Sequence, residues 1–278
     1  MKKTKIKFDS RNKLNNLDGK SWIKATKSFY FSEKSIDDKD AFAHPAPFLI
    51  KDVKKMIEMF TKKGMTVLDP FVGSGTTLLA CYESSRKGIG IDLNENYYCL
   101  AKKRFDKKLM KEGIDYKYIV GDSLIEVSKI KKVDFIITSP PYHNILHNNS
   151  KGIRVNKSEK GFRSGSRTSV EVYSNMTNDL GNQKTYNDFL KLFQEIMKKC
   201  YVKLNSEKYC VVIISDFTVD KKEVCVQADI VKTMEKIGYC FCGTIILLQD
   251  CKPLYPFGYP YAFKINHMHQ NIIIFRKK

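Results

Sequence analysis

Hydrophobic residues recur along the chain with two different periods, and segments of the two kinds alternate. Apolar positions between Val53 and Phe60 are spaced by three and four residues, which predicts an amphipathic helix ending near Gly64. Short apolar runs bounded by polar residues predict buried strands instead. Seven strands are predicted, at 65–69, 88–92, 117–120, 133–138, 210–216, 239–248 and 271–275. Further helices are predicted at 76–86, 94–110, 186–202 and 221–237.

Strands that alternate with helices in this way favour a doubly wound α/β sheet. The last two strands have no predicted helix between them, so we expect an antiparallel hairpin at one edge of the sheet. Residues 1–40 are basic and weakly patterned, and the segment 20–31 around Trp22 predicts an edge strand or an arm. We expect a basic N-terminal arm over 1–40 and one larger domain over 41–278.

Composition excludes several classes of protein. Hydrophobic residues make up 42% of the chain and aromatic residues 12%, which is typical of a globular protein. Unbroken apolar runs such as Cys210–Ile214 are far shorter than the ~18 residues of a membrane span. The basic start has no apolar segment behind it, so no secretory signal is expected. The eight cysteines form no CxxC pair, which favours reduced thiols, a cytoplasmic location and no metal site.

Charge points to a polyanionic partner. Lys and Arg total 49 against 30 Asp and Glu, a net charge of +19, although a lysine-rich proteome would also produce this excess. The polar stretch 143–184 interrupts the regular pattern, and within 151–167 it holds six basic residues and one acid. Such a stretch is usually functional or disordered. Because arginine reads guanine edges, nucleic-acid contacts are expected from Arg154, Arg163 and Arg167.

A second candidate for nucleic-acid contact is the aromatic segment 253–269, between the last two predicted strands. The alternative for this segment is an ordered hairpin loop that packs its own aromatic side chains. For 143–184 the alternative is a solvated loop without a partner.

The first motif with chemical content is VLDPFVGSGTT, from Val67 to Thr77, where a strand passes into a helix. Gly73 and Gly75 would let a ligand approach the backbone, and the helix start offers free N–H groups. Asp92 ends the next strand, where an acid typically holds a ribose hydroxyl. The lysine of a P-loop and the third glycine of a dinucleotide site are missing. A nucleoside therefore fits better than a dinucleotide, and a tight turn without ligand is the alternative.

The second motif is TSPPY, from Thr138 to Tyr142, at the end of the fourth predicted strand. Two prolines cannot continue a central strand, and they leave carbonyl groups without N–H partners. Ser139 adds a hydroxyl acceptor and Tyr142 a flat aromatic ring. Acceptors beside a stacking surface suit a flipped base with an exocyclic amine. The alternative for this motif is a rigid strand exit.

Taken together, DPFVGSGTT, the acid ending the next strand and TSPPY resemble the S-adenosylmethionine-dependent amino-methyltransferases of DNA. These enzymes make N4-methylcytosine or N6-methyladenine. The resemblance covers about 42–278 and implies a Rossmann-like sheet of seven strands with a reversed last strand. It implies S-adenosylmethionine as cofactor, double-stranded DNA with a flipped target base as substrate, and a setting in which a cognate restriction endonuclease can accompany the enzyme. On this basis 41–278 would be the methyltransferase domain, with 143–184 as its DNA-contacting insert.

The resemblance also assigns roles to residues. HPAPF, at 44–48, resembles the segment that closes over the methionine part of the cofactor, and GDSL, at 121–124, resembles the position whose acid touches the adenine amine. The implied cofactor-binding residues are His44, Phe48, Asp69, Pro70, Phe71, Gly73, Gly75, Thr76, Asp92 and Asp122. The implied catalytic residues are Ser139, Pro140, Pro141 and Tyr142.

Serine at the first position of the catalytic tetrapeptide is associated, in this family, with cytosine-N4 enzymes. Ser139 therefore favours cytosine N4 over adenine N6. Two other functions are consistent with parts of the pattern. An RNA methyltransferase would use the same two motifs, although 1–40 is too short for most RNA-binding domains. A non-catalytic module would keep the cofactor fold, but the intact tetrapeptide at 139–142 disfavours it.

Overall fold

The computed structural model describes residues 9–44, 47–143, 176, 178–219, 222–250 and 252–278. Most of the predicted insert, including Arg154, Arg163 and Arg167, lies outside the described residues. Within these described residues the helices are α1 (Gly19–Ala25), α2 (Ile50–Phe60), α3 (Thr76–Glu83), α4 (Glu95–Lys107), α5 (Ser123–Glu126), α6 (Tyr186–Lys203) and α7 (Val226–Ile237). Single 3₁₀ segments lie at Ile36–Ala43, Val127–Lys129 and Leu180–Asn182.

Eight of the described strands form one sheet, namely β1 (Phe29–Phe31), β2 (Thr66–Asp69), β3 (Lys87–Asp92), β4 (Tyr116–Val120), β5 (Val133–Thr138), β6 (Leu204–Ile214), β9 (Tyr239–Leu248) and β10 (His269–Lys277). Their order across the sheet is β1-β9-β10-β6-β5-β2-β3-β4. β10 is antiparallel to both of its neighbours, and all other pairs in the sheet are parallel. The α/β class, the seven predicted strands and the reversed last strand are thereby confirmed.

Helices cover both faces of the sheet, and each face has its own apolar core. Along β2, Val67 belongs to the core under α2 and α3, whereas its neighbour Leu68 belongs to the core under α6 and α7. The same alternation relates Phe135 and Ile136 of β5. Because successive strand side chains point to opposite faces, a strand buried on both faces is apolar throughout. This explains why these strands are continuous apolar runs in the sequence.

The structure corrects three details of the predicted elements. The last two strands do pair, but β10 lies between β6 and β9, and β1 covers the edge beyond β9. The helix predicted from residue 221 begins at Val226, because Lys222–Val224 forms strand β8, which pairs with β7 (Phe217–Val219) in a separate hairpin. The strand predicted from residue 210 begins at Leu204, which is already in register with β5.

The segment predicted as an edge strand or arm is divided between a helix and a strand. Trp22 lies in α1, and residues 29–31 form β1, which runs parallel to β9. The separation of residues 1–40 from the rest of the chain stays a prediction.

Two further expectations from the sequence concern the state of the cysteines and the presence of membrane-spanning helices. The described cysteines are free, and three of them, Cys81, Cys200 and Cys210, are buried in the core. Among the described residues, no helix combines the length and apolarity that crossing a membrane requires.

The candidate site lies where the sheet topology changes direction. From β2 the chain moves to β3 and β4 on one side, and then returns to place β5 on the other side of β2. Ligands of open α/β sheets bind in the crevice at the carboxyl ends of such strands. Both sequence motifs pass through this edge, since the first runs on from β2 beyond Asp69 and the second runs on from Thr138 at the end of β5.

Candidate functional site

Asp69, the last residue of β2, joins the two motifs. Its carboxylate accepts hydrogen bonds from Thr77 Oγ1 at 2.5 Å and from Phe71 N at 3.0 Å, within the first motif. It also accepts one from Thr138 Oγ1 at 2.7 Å, directly before the catalytic tetrapeptide. Asp69 is almost fully buried, and burial raises the pKa of its carboxyl to about 6. The side chain therefore fixes the distance between the two loops, although it is not among the residues lining the cavity between them.

The two glycines of the first motif have different roles. Both have left-handed backbones, with φ of +48° at Gly73 and +79° at Gly75. A Cβ on Gly75 would lie 2.5 Å from the Phe105 ring, so packing against α4 requires glycine there. A Cβ on Gly73 would instead lie 3.0 Å from His44 Nε2, in the cavity wall. Of the two glycines, only Gly73 lies in the cavity lining, where a side chain would press against His44.

Asp92, at the end of β3, lies opposite the glycine loop. One carboxylate oxygen accepts from Gly73 N at 2.9 Å and the other accepts from Asn94 N at 2.9 Å. Enclosure by the surrounding protein raises the pKa of Asp92 to about 7. Because each carboxylate oxygen has more than one lone pair, both can still accept from a ligand hydroxyl.

A single cavity brings most of the predicted site residues together. The predicted residues that line it are His44, Pro70, Phe71, Gly73, Asp92, Asp122, Ser139, Pro140, Pro141 and Tyr142. Four predicted cofactor residues are not in its lining, namely Phe48, Asp69, Gly75 and Thr76. Lining residues that sequence reasoning missed are Leu93, Tyr97, Ser123, Asn178, Asp179, Leu180 and Ile196.

Thr76 and Phe48 are not in the cavity lining but support the residues that form it. The Thr76 hydroxyl donates to the Phe48 carbonyl at 3.4 Å and accepts from Arg104 Nη1 at 2.9 Å. The same Arg104 nitrogen donates to the Ser74 carbonyl at 2.6 Å. Arg104 is almost fully buried, and burial lowers its pKa to about 10, so it stays charged at neutral pH. A basic residue on the same helical face as Tyr97 and Ala101 is a sequence signal that would have identified it.

Tyr142 is held rigidly in the wall of the cavity. Its hydroxyl oxygen accepts from Ser215 N at 3.2 Å and from Gln270 Nε2 at 3.1 Å. Its ring packs edge-on against Phe217, with the ring centroids 5.5 Å apart. The orientation of the ring is thus set by Ser215, just after β6, by Phe217 in β7 and by Gln270 in β10.

Asp122 is contacted by a short segment, 178–182, near the C-terminal end of the predicted insert. The Asn178 amide donates to one carboxylate oxygen of Asp122, and Leu124 N donates to the other at 2.8 Å. Asp122 therefore presents an acceptor at the cavity, and a polar side chain from the far end of the insert already contacts it.

Tyr97 completes the side of the cavity near His44. The two rings lie 4.4 Å apart between centroids. The Tyr97 hydroxyl is buried but forms no hydrogen bond to any described residue. Below it, Tyr118 donates its hydroxyl proton to the Gly73 carbonyl at 2.8 Å. The cavity thus combines an acid, a glycine wall, aromatic rings and an unpaired buried hydroxyl, which suits a nucleoside.

Solved structures identify the class of fold. The chain resembles TrmN from Thermus thermophilus with a TM-score of 0.51 and 13% identity, over 89% of this chain and 55% of that one. It also resembles a precorrin 8w decarboxylase from Methanobacterium thermoautotrophicum with a TM-score of 0.51 and 11% identity, over 88% and 99% of the two chains. At such low identities these likenesses define the fold alone, which is the Rossmann-like methyltransferase fold.

Sequence comparison identifies the family. A family profile described as DNA methylase, for N6 and N4 enzymes, matches residues 2–103 and 133–278. The chain therefore belongs to the N6/N4 DNA methylase family, as its two motifs predict.

Individual relatives match over shorter segments. The type II methyltransferase M.BglI of Bacillus subtilis is 34% identical over 128 residues, which are 46% of this chain and 32% of the relative. M.HpaI of Haemophilus parainfluenzae is 40% identical over 78 residues, 28% of this chain and 25% of the relative. The matches thus span about a third or less of the length of these relatives.

Fold and family together imply S-adenosylmethionine as the cofactor, and the described residues fit it. Asp92 and Asp122 both line the cavity, where Asp92 could accept from ribose hydroxyls and Asp122 from the adenine amine. The bare backbone of Gly73 lies close against His44 in the cavity wall, and the Tyr97 hydroxyl provides a buried polar atom with no partner among the described residues. These residues would hold the nucleoside part of the cofactor.

Proposed function

We propose that this protein transfers a methyl group from S-adenosylmethionine to an exocyclic amine of a base in double-stranded DNA. The observation that carries the proposal is the shared cavity, which is lined both by Gly73 and Asp92 and by the tetrapeptide 139–142. S-adenosylmethionine supplies an electrophilic methyl group on a sulfonium centre when bound. If one part of the cavity holds the nucleoside and another the base amine, donor and acceptor would lie side by side, which would supply the positional part of catalysis.

The tetrapeptide 139–142 would compensate for the weak nucleophilicity of a base amine. The lone pair of the amine nitrogen is delocalised into the base ring, so the site must favour a pyramidal nitrogen. Ser139 Oγ and the Pro140 carbonyl would accept the two amine protons and orient the lone pair away from the base ring. Acceptors that the two prolines hold in place before the base arrives would act by electrostatic preorganisation. No covalent bond to the protein is required.

Tyr142 would stack on the flipped base. Its hydroxyl is anchored by Ser215 and Gln270, so the ring needs no rearrangement when the base enters. Enzymes that modify a base must extrude it from the duplex, and stacking compensates part of the unstacking cost. A ring that is already oriented also needs no ordering of its own when the base binds.

We propose cytosine N4 as the methylated atom in preference to adenine N6. Ser139 carries this preference, because serine at this position is associated with cytosine-N4 enzymes. A neutral hydroxyl can also donate to the cytosine ring nitrogen while the Pro140 carbonyl accepts from N4. Adenine offers a ring acceptor beside its amine too, so the family resemblance contributes more to this preference than the chemistry does.

The remaining proposals concern location and partners. Arg154, Arg163 and Arg167 would contact DNA from the insert. The type II relatives support a restriction-modification setting, in the cytoplasm and with a cognate endonuclease.

The test is a methylation assay with analysis of the product. The protein is incubated with labelled cofactor and either bacterial duplex DNA or tRNA, and the nucleic acid is digested to nucleosides for mass spectrometry. We expect N4-methylcytosine from DNA. N6-methyladenine as the sole product would overturn the choice of base, label in tRNA alone would overturn the choice of DNA, and no label in either would overturn the proposed activity.

A matched pair of variants links the product to the site. Ser139→Ala should lower the turnover of the methylation reaction. Ser206→Ala, an exposed serine of β6 far from the cavity, should leave it unchanged.

A further inference from the structure

The loop between β9 and β10, residues 252–268, exposes an unusual set of large apolar side chains. We call it the aromatic loop. Tyr261 is 94% exposed, Phe263 92% and Tyr259 77%. The other exposed apolar residues of the loop are Leu254, Phe257 and Ile265. Single apolar residues at a surface need no explanation, but a contiguous group of this size usually marks a binding surface.

The backbone of this loop is internally braced. The Asn266 side chain accepts from Tyr255 N at 2.9 Å and donates to the Tyr255 carbonyl at 2.9 Å, which closes the base of the loop. At its tip, the amides of Tyr261 and Ala262 donate to the Gly258 carbonyl at 2.8 and 2.7 Å. The outward rings are therefore attached to a fixed backbone, and binding through them would cost little ordering entropy.

The aromatic loop begins and ends at the edge of the sheet where the tetrapeptide 139–142 follows β5. β10 starts at His269, which is in register with Leu248 at the end of β9. The next residue, Gln270, donates its side-chain amide to the Tyr142 hydroxyl at 3.1 Å. The His269 carbonyl accepts from Ser215 Oγ at 2.8 Å. The loop thus continues directly from the residues that hold Tyr142.

Charge favours a polyanion as the occupant of this surface. Residues 252–268 contain no aspartate or glutamate, and the loop exposes Lys252 and Lys264. One acid of the neighbouring hairpin faces it, because Glu223 pairs with His267 at 2.7 Å. Aromatic rings interleaved with basic residues are typical of surfaces that hold bases by stacking and the backbone by charge.

We propose that the aromatic loop is a DNA-contacting surface, on which Tyr261 and Phe263 pack against bases beside the target nucleotide. This inference rests on the proposed function and adds a second contact region to it. Extruding one base leaves its neighbours with uncovered faces, and inserted or stacked apolar side chains cover such faces in other DNA-binding proteins. The loop is placed to do this because it adjoins the wall that would receive the extruded base.

The test uses the full chain and a fluorescein-labelled duplex that the unaltered protein methylates. In Tyr261→Ala/Phe263→Ala we expect duplex affinity, measured by anisotropy, to fall about tenfold or more, since base stacking on aromatic residues has effects of this size. The salt dependence of binding should keep its slope, because no cation is removed. Tyr261→Phe retains the ring and should bind like the unaltered protein.

Two controls separate this effect from general damage. Ile114→Ala/Val202→Ala removes two exposed apolar side chains at the opposite edge of the sheet and should not change duplex affinity. The affinity for S-adenosylmethionine, measured by calorimetry, should be the same in every variant, because the loop is outside the cofactor cavity.

Unchanged duplex affinity in the double alanine variant would overturn the inference. A shift in sedimentation of that variant with unchanged duplex affinity would also overturn it, and would assign the surface to a second copy of the chain. Failure of the unaltered protein to bind or methylate any duplex would instead refute the proposed function, so the two failures are distinguishable.

Discussion

Cofactor binding should depend on pH through Asp92. Its pKa is raised to about 7 by enclosure in the cavity, so about nine-tenths of the carboxyl groups carry a proton at pH 6. Ribose hydroxyls donate best to the ionised carboxylate, and binding then competes with protonation. The apparent dissociation constant is multiplied by about 11 at pH 6 and about 1.1 at pH 8 for a pKa near 7. Affinity for S-adenosylmethionine should therefore be about tenfold weaker at pH 6 than at pH 8.

Isothermal titration calorimetry at pH 6, 7 and 8 measures this dependence. Repeating each titration in buffers of different ionisation enthalpy counts the protons released on binding. We expect nearly one proton per cofactor at pH 6 and almost none at pH 8, because the carboxyl is already ionised there. Asp92→Asn should bind more weakly at pH 8 and should lose the pH dependence. Asp106→Asn, an exposed acid near the end of α4, should keep both affinity and slope.

Three results would refute this reasoning. Equal affinity of the unaltered protein at pH 6 and pH 8 would show that Asp92 does not exchange its proton for the ligand. The same pH slope in Asp92→Asn would assign the titration to another group. Unchanged affinity at pH 8 in a folded Asp92→Asn variant would remove Asp92 from the cofactor site.

The remaining predictions concern stability and DNA affinity. Gly75→Ala should lower the free energy of unfolding in urea by about 3 kcal/mol, since a left-handed alanine is strained and its Cβ would meet α4. Gly64→Ala, with φ of +81° but open space around its Cβ, should cost only about 1 kcal/mol, and equal losses would contradict the packing argument. Arg104→Gln should cost about 3 kcal/mol through lost hydrogen bonds of a buried cation, whereas exposed Lys103→Gln should cost almost nothing in the same urea titration. Replacing the three arginines of the insert by alanine should weaken duplex binding and reduce its salt slope by up to about 3, and a fully retained slope would place the phosphate contacts elsewhere.

What the sequence determined by itself is mainly local. Two apolar periods located seven strands and most helices, because side-chain periodicity follows from the backbone geometry of each element. The predicted start of the helix at residue 94 also agrees with the structure, in which the Asn94 side chain caps α4 by accepting from Asn96 N at 2.9 Å. The two motifs were identifiable because glycine and proline act through their own backbone restrictions, independently of neighbours.

Errors in the predicted elements arose where pairing outweighed local pattern. Residues 222–224 were predicted as the start of a helix, yet they form β8 because β7 offers them a partner. The place of β10 between β6 and β9 likewise depends on two ladders with strands far from each other in sequence. Such choices follow from the sum of many contacts across the sheet, which no local window contains.

Only the tertiary structure decided how the site is assembled. It showed that Asp69 ties Thr77 to Thr138, that Gly75 is required by α4, and that Arg104 braces the glycine loop. It also brought Asn178, from the C-terminal end of the predicted insert, onto Asp122. The sequence could mark which residue types belong to the chemistry, because side-chain chemistry is intrinsic to each residue. Their mutual distances are set by long-range packing, and so only the folded chain separates the residues that line the cavity from those that support it.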